Sequence, residues 1–167
     1  MVDLSRWDFE AIVDQTDKLN EARYFLDIAR QQTDRRQFRW LVSAFFNAAY
    51  SYFDTAALHA CHMSCGEDGE TEPDPQALQI LRKYIKIDPE KNNRFKVHTQ
   101  PVHNLVKDLY MHRKNNTHYF PMSIMQTGPS PEHFHLGSER EKGIPLIQLC
   151  GEIMDLIVQV QNELDMA

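Results

Sequence analysis

Arg113 and His118 stand five positions apart in the run Met111-His112-Arg113-Lys114-Asn115-Asn116-Thr117-His118. Arginine carries a planar fork of donors that fits phosphate oxygens and keeps its charge at any working pH. Histidine exchanges a proton near neutrality and can act as general base or acid. Asn115 and Asn116 suit a helix end and can hydrogen-bond a ligand, and His112 and Lys114 extend the same candidate binding set. Together these residues supply a phosphate clamp, a proton shuttle and polar positioning groups, with no call for a metal or cofactor. The plainer reading is that Arg113 offsets a helix dipole, worth ~0.3–1 kcal/mol, while His118 packs in a turn.

The charge distribution favours an anionic ligand near this run. Between Arg82 and His118 there are nine basic and three acidic residues, a segment charge of +6, while the chain as a whole is −6 and everything outside the segment is −12. Four of the eight histidines, His98, His103, His112 and His118, lie in the same segment. Such polarisation attracts an anion to one place on a surface that otherwise repels it.

A second cluster, His59, Cys61, His62 and Cys65, offers zinc or iron ligands at the end of a predicted helix, and His133 and His135 offer two more. Without a Cys-x2-Cys pair or a His-Glu-x-x-His sequence, helix-end residues are the expectation and a metal site is not. The aromatic residues Phe38, Trp40, Phe45, Phe46, Tyr50, Tyr52 and Phe53 have helical spacing, which predicts core and dimer packing rather than base stacking. Adjacent pairs such as Phe45 with Phe46 cannot both face one core, which predicts a helix covered on several sides and an oligomer.

These candidates need elements to hold them. Residues 1–65 contain no Gly and no Pro, which favours helix. Trp7, Ala11, Ile12, Gln15, Leu19, Ala22, Phe25, Leu26 and Ala29 make one stripe that is apolar apart from Gln15. Asp34 with Gln37 forms a variant capping box, and a second helix is predicted to about Met63, antiparallel to the first. The acidic Gly- and Pro-containing stretch 64–74 reads as an exposed loop ending in the start signal Asp74-Pro75. A short third helix is predicted to about Ile87, and Asp88-Pro89 repeats the start signal. After Pro101 the stripe Val102, Leu105, Val106, Leu109 and Tyr110 leads to Arg113, which should emerge on the core-facing or partner-facing side. Residues 119–137 read as irregular, and a final helix begins near Gly143. The expected fold class is all-α, a single bundle of about five helices over residues 1–167.

An Arg, four intervening residues and a His at the end of a bundle helix resemble the Arg-x4-6-His motif of the HEPN superfamily, small all-helical domains found in many RNA-cleaving toxins. The segment FRWLVSAFFNAAYSYFDTAALHA is similar to the long second helix of such proteins. The resemblance spans roughly residues 8–118 plus the last helix. It implies a homodimer with two motifs facing across a cleft, and metal-independent endoribonuclease activity through the ribose 2′-hydroxyl. Arg113 would hold the scissile phosphate and His118 would be the general base or acid. It further implies a toxin–antitoxin or defence setting. The residue after the Arg is commonly Asn, Asp or His in active members, whereas here it is Lys114, with the asparagines shifted to 115 and 116.

Two other readings use the same residues. In one, the chain is a non-catalytic module whose basic segment docks an acidic partner, including a cognate antitoxin or a nucleotidyltransferase-like protein, through several of Lys83, Lys86, Lys96 and Lys107, with His118 dispensable. In the other, it is a metal-dependent bundle enzyme built on the histidines. Composition, 42% hydrophobic and 25% charged with three Cys, excludes a disordered chain, a collagen-like fibre and a disulfide scaffold. The acidic N-terminus and the lack of a long apolar run predict a cytoplasmic chain without a membrane span.

Overall fold

The computed structural model describes residues 16–62, 64–65, 71–90, 96–118, 121–139 and 142–167, without the side chains of residues 64, 65, 71 and 118. Five helices make most of it: α1 (Asp17–Ala29), α2 (Arg35–His62), α3 (Pro75–Leu81), α4 (Asn104–His118) and α5 (Leu146–Asp165). The expectation of an all-α bundle is overturned by seven short strands among the described residues. They are β1 (Ser64–Cys65), β2 (Thr71–Glu72), β3 (Ile85–Pro89), β4 (Val97–Pro101), β5 (Ile124–Gln126), β6 (Phe134–Leu136) and β7 (Ile144–Pro145). They pair antiparallel as β1–β2, β3–β4 and β5–β6–β7.

α1 buries Leu19, Ala22, Leu26 and Ala29, the helical spacing expected of them, while the portion of the stripe before residue 16 lies outside the described residues. Between the helices, Asp34 Oδ1 accepts the Gln37 N–H at 2.8 Å as a cap should. The return half of the capping box comes from elsewhere: the Asp34 N–H donates to Gln32 Oε1 at 2.9 Å, and the Gln32 amide donates to Gln37 Oε1. α2 has 28 residues, about 42 Å of helix. It buries both members of Phe45–Phe46 and of Tyr52–Phe53 because α1, α3, α4, α5 and β4 of the same chain all pack on it. Adjacent aromatics therefore give no argument for an oligomer. Trp40 departs from the packing expectation, being 57% exposed.

Asp74 caps α3 as predicted, accepting the Gln76 and Ala77 N–H groups at 3.0 Å, with Pro75 in the first turn. That helix stops at Leu81, however. Ile85, Ile87, Val97 and Thr99 alternate with polar residues, and β-branched alternation suits a half-covered strand better than a helix. Asp88-Pro89 consequently sits in β3, opposite His98 and Val97, instead of starting a helix. Proline tolerates the end of an edge strand because its missing N–H is not needed there. The predicted irregular stretch 119–137 contains β5, a single 3-10 turn (Pro131–His133) and β6, and Phe134 is fully buried against Phe38 at 4.6 Å between ring centroids. Gly137, at φ 118°, makes the turn after β6 in a conformation that disfavours a side chain. One contiguous core joins all five helices with Ile85 and Phe134.

Candidate functional site

α4 extends through Asn115 and Asn116 to His118, so the asparagines are helical and do not end it. Helical geometry then divides the predicted set. Tyr110, Arg113, Lys114 and Thr117 fall at i, i+3, i+4 and i+7 and line, with Asn47, a groove of about 400 Å³. His112, Asn115 and Asn116 share the other face and line a second groove of about 510 Å³ with the segment Pro121–Ser123. The six predicted residues are thus split, Arg113 and Lys114 in one groove and His112, Asn115 and Asn116 in the other; the His118 side chain lies outside the described part.

Arg113 leans back onto α2, as its position at the end of the apolar stripe predicted. Its guanidinium sits over the Tyr50 ring at 5.0 Å from the centroid, and its Nη1 is 3.9 Å from Asp54 Oδ2. The other Asp54 oxygen accepts a hydrogen bond from the Thr99 hydroxyl at 2.5 Å. Tyr50 Oη lies 3.1 Å from Thr99 Oγ1. Since threonine has one hydroxyl proton and gives it to Asp54, Tyr50 must be the donor in that contact. A chain of donation thus runs from Tyr50 through Thr99 to the carboxylate that faces Arg113. Burial raises the Asp54 carboxyl above its ordinary value, with the Thr99 hydrogen bond and Arg113 opposing. Burial likewise raises Tyr50, which stays a protonated donor.

This support leaves the guanidinium mostly uncommitted. Among the described residues the Arg113 guanidinium donates no hydrogen bond, being held by an ion pair too long for one and by the Tyr50 ring. Its fork of donors remains available to an oxyanion in the groove. His112 is different: its ring stacks on Phe46 at 5.6 Å, and burial lowers its pKa, with Asp108 opposing. It therefore faces its groove as a neutral donor or acceptor. Asn116 is already engaged, accepting the Met122 N–H at 3.3 Å.

Sequence reasoning missed Tyr50, Asp54 and Thr99. Asp54 was visible in principle as the sole acidic residue of α2. Thr99 was not, because its strand was unread. The competing clusters separate. Among the described residues no group of three or more His, Cys, Asp or Glu is placed to hold a metal ion. Cys61 is buried, and the Cys65 side chain lies outside the described part. His133 Nδ1 is taken by the Ser130 hydroxyl at 2.8 Å, and His135 Nδ1 contacts the His133 carbonyl at 3.1 Å. Two of the predicted docking lysines are locally compensated, Lys83 by Glu163 at 2.8 Å and Lys96 by Glu90 at 3.1 Å. No helix among the described residues is long and apolar enough to cross a membrane. No protein-family model matches the chain, and no curated protein or solved structure matches it significantly.

Proposed function

We propose that the chain binds RNA through a backbone phosphate at Arg113 and cleaves it as a metal-independent endoribonuclease. The observation that carries this reading is the Arg113 guanidinium, backed by Asp54 and Tyr50 yet with its hydrogen-bonding fork unspent in an open groove beside Lys114. A surface arginine without such backing samples many rotamers, whereas a held one meets a phosphate with less ordering cost. Lys114 adds a second positive charge to the same groove. His118, at the end of α4, is the group assigned to proton transfer with the ribose 2′-hydroxyl. The Arg-x4-His spacing resembles the HEPN motif, and on that resemblance the protein acts in the cytoplasm as a homodimer of a toxin–antitoxin or defence system. Its partner would be a cognate antitoxin or a nucleotidyltransferase-like protein.

The test is incubation of the wild type, Arg113→Ala and His118→Ala with mixed cellular RNA in excess chelator. Cleavage by the wild type and its loss by at least a hundredfold in each variant, with thermal unfolding unchanged, is the expected result. Cleavage that survives both substitutions overturns the assignment.

A further inference from the structure

Arg35, Arg36 and Arg39 lie in the first turns of α2, outside the basic segment recognised from sequence. Helix dipoles make this end positive, so three cations there oppose the local field. No acidic residue occupies the first turn of α2, and among the described residues no carboxylate lies within 4 Å of any of the three. In a chain of net charge −6, three neighbouring arginines that form no ion pair among the described residues create a local attraction for polyanions. Asp34 already caps the helix through the Gln37 N–H, so any anion here is held by the guanidinium groups and not by the helix end.

The three arginines form one wall of a groove of about 590 Å³, whose opposite wall is the chain from Pro121 to Met125 with Gly137 and Ser138. That second wall is shared. Pro121, Met122, Ser123 and Gly137 also line the groove of His112, Asn115 and Asn116. On the other side, Arg35 and Arg36 continue into a groove of about 460 Å³ that contains Trp40 and Gln126 and also Asp34, whose Oδ1 is occupied by the Gln37 N–H. Trp40 is a large aromatic presented to solvent beside arginines, the pairing that single-stranded nucleic acids use for stacking and backbone contact. The three grooves therefore adjoin in a series from α4 to the start of α2. Arg35 and Phe46, on which His112 stacks, are about 16 Å apart along the helix, room for roughly three to five nucleotides.

We propose that Arg35, Arg36 and Arg39 form a second phosphate-binding groove that holds the backbone of single-stranded RNA, with a base stacked on Trp40. The inference rests on the RNA reading of α4 and adds a path that starts on the His112 face of that helix, opposite the Arg113 groove, and runs across Pro121–Ser123 and onto α2.

The experiment measures binding, not cleavage, with a labelled 2′-O-methyl dodecamer that lacks a free 2′-hydroxyl. The triple variant Arg35→Gln/Arg36→Gln/Arg39→Gln is expected to bind at least tenfold more weakly at low salt. Its plot of log affinity against log salt should flatten by about two, because single strands contribute ~0.7 per phosphate contact. In a Trp7→Phe background Trp40 is the sole tryptophan, and its fluorescence should be quenched by the dodecamer. Thermal unfolding of the triple variant should be unchanged or higher, since like-charge crowding is relieved. An unchanged affinity and salt slope in the triple variant overturns the groove, and does so even if Arg113→Ala abolishes cleavage. Loss of binding in the triple variant supports the groove, and does so even if Arg113→Ala cleaves normally. Displacement of the dodecamer by a poly-glutamate peptide of equal charge, at equal concentration, overturns RNA as the occupant.

Discussion

Arg113 is held by side chains behind it, two that touch its guanidinium and one that touches its counter-ion. Tyr50 supplies a ring face, Asp54 a carboxylate, and Thr99 the hydrogen bond that orients that carboxylate. Asp54→Asn keeps the shape but removes the charge, so the guanidinium loses its direction. Cleavage should fall about tenfold while KM changes little, a split that steady-state kinetics on an RNA oligonucleotide would reveal. The same substitution has a pH signature. Because burial raises the Asp54 pKa above 3.8, the folded state holds this proton more tightly than the unfolded state. Stability from this group therefore falls as pH rises from the ordinary carboxylate value through the raised one. His112 has the opposite sign. Its pKa is lowered from 6.5, so its contribution is complete above that value and is lost as pH falls toward the folded pKa. Thermal unfolding of His112→Gln should accordingly be flatter than wild type as pH falls below 6.5; identical profiles would show that its surroundings do not favour the neutral ring. Of this site, Arg113 was legible because it ends an apolar stripe, whereas its support required knowing which strand lies against α2.

Strands account for most of what periodicity did not reveal. α2 and α5 are long, strongly patterned and nearly correct in their predicted bounds, and Asp74-Pro75 marks the start of α3. Five-residue strands carry too few alternations to stand out, and β3 follows α3 after one turn, so Ile85 and Ile87 extend an apolar pattern already under way. Proline compounds the ambiguity. It marks the first turn of a helix and the end of an edge strand for the same reason, a missing N–H, so Asp88-Pro89 and Pro101 suited either role. The region after α4 offers a direct check. Were it an irregular loop, truncating Phe134 would cost little. Packed on Phe38 with no exposed surface, Phe134→Ala should instead cost about 3–5 kcal/mol, read as a shift in the urea unfolding midpoint at constant slope.

Charge and coverage together determine what the assembled surface can meet. Two of the lysines in the basic segment are answered by Glu163 and Glu90, while among the described residues the arginines at the start of α2 form no ion pair, so the net count of the segment was a poor guide to where positive potential is exposed. α2 is covered on several sides by its own chain, which leaves homodimerisation to rest on the motif resemblance alone. What remains is a mixed fold that backs one arginine from behind and leaves its donors open in front. The most direct measurement is end-group analysis of RNA cut by the chelator-treated wild type, beside a matched oligonucleotide carrying 2′-O-methyl ribose throughout. The expected products are fragments ending in 2′,3′-cyclic phosphate from the RNA, none from the methylated strand, and none from either with Arg113→Ala. Cleavage of the methylated strand, or fragments ending in a 3′-hydroxyl and a 5′-phosphate, would contradict it.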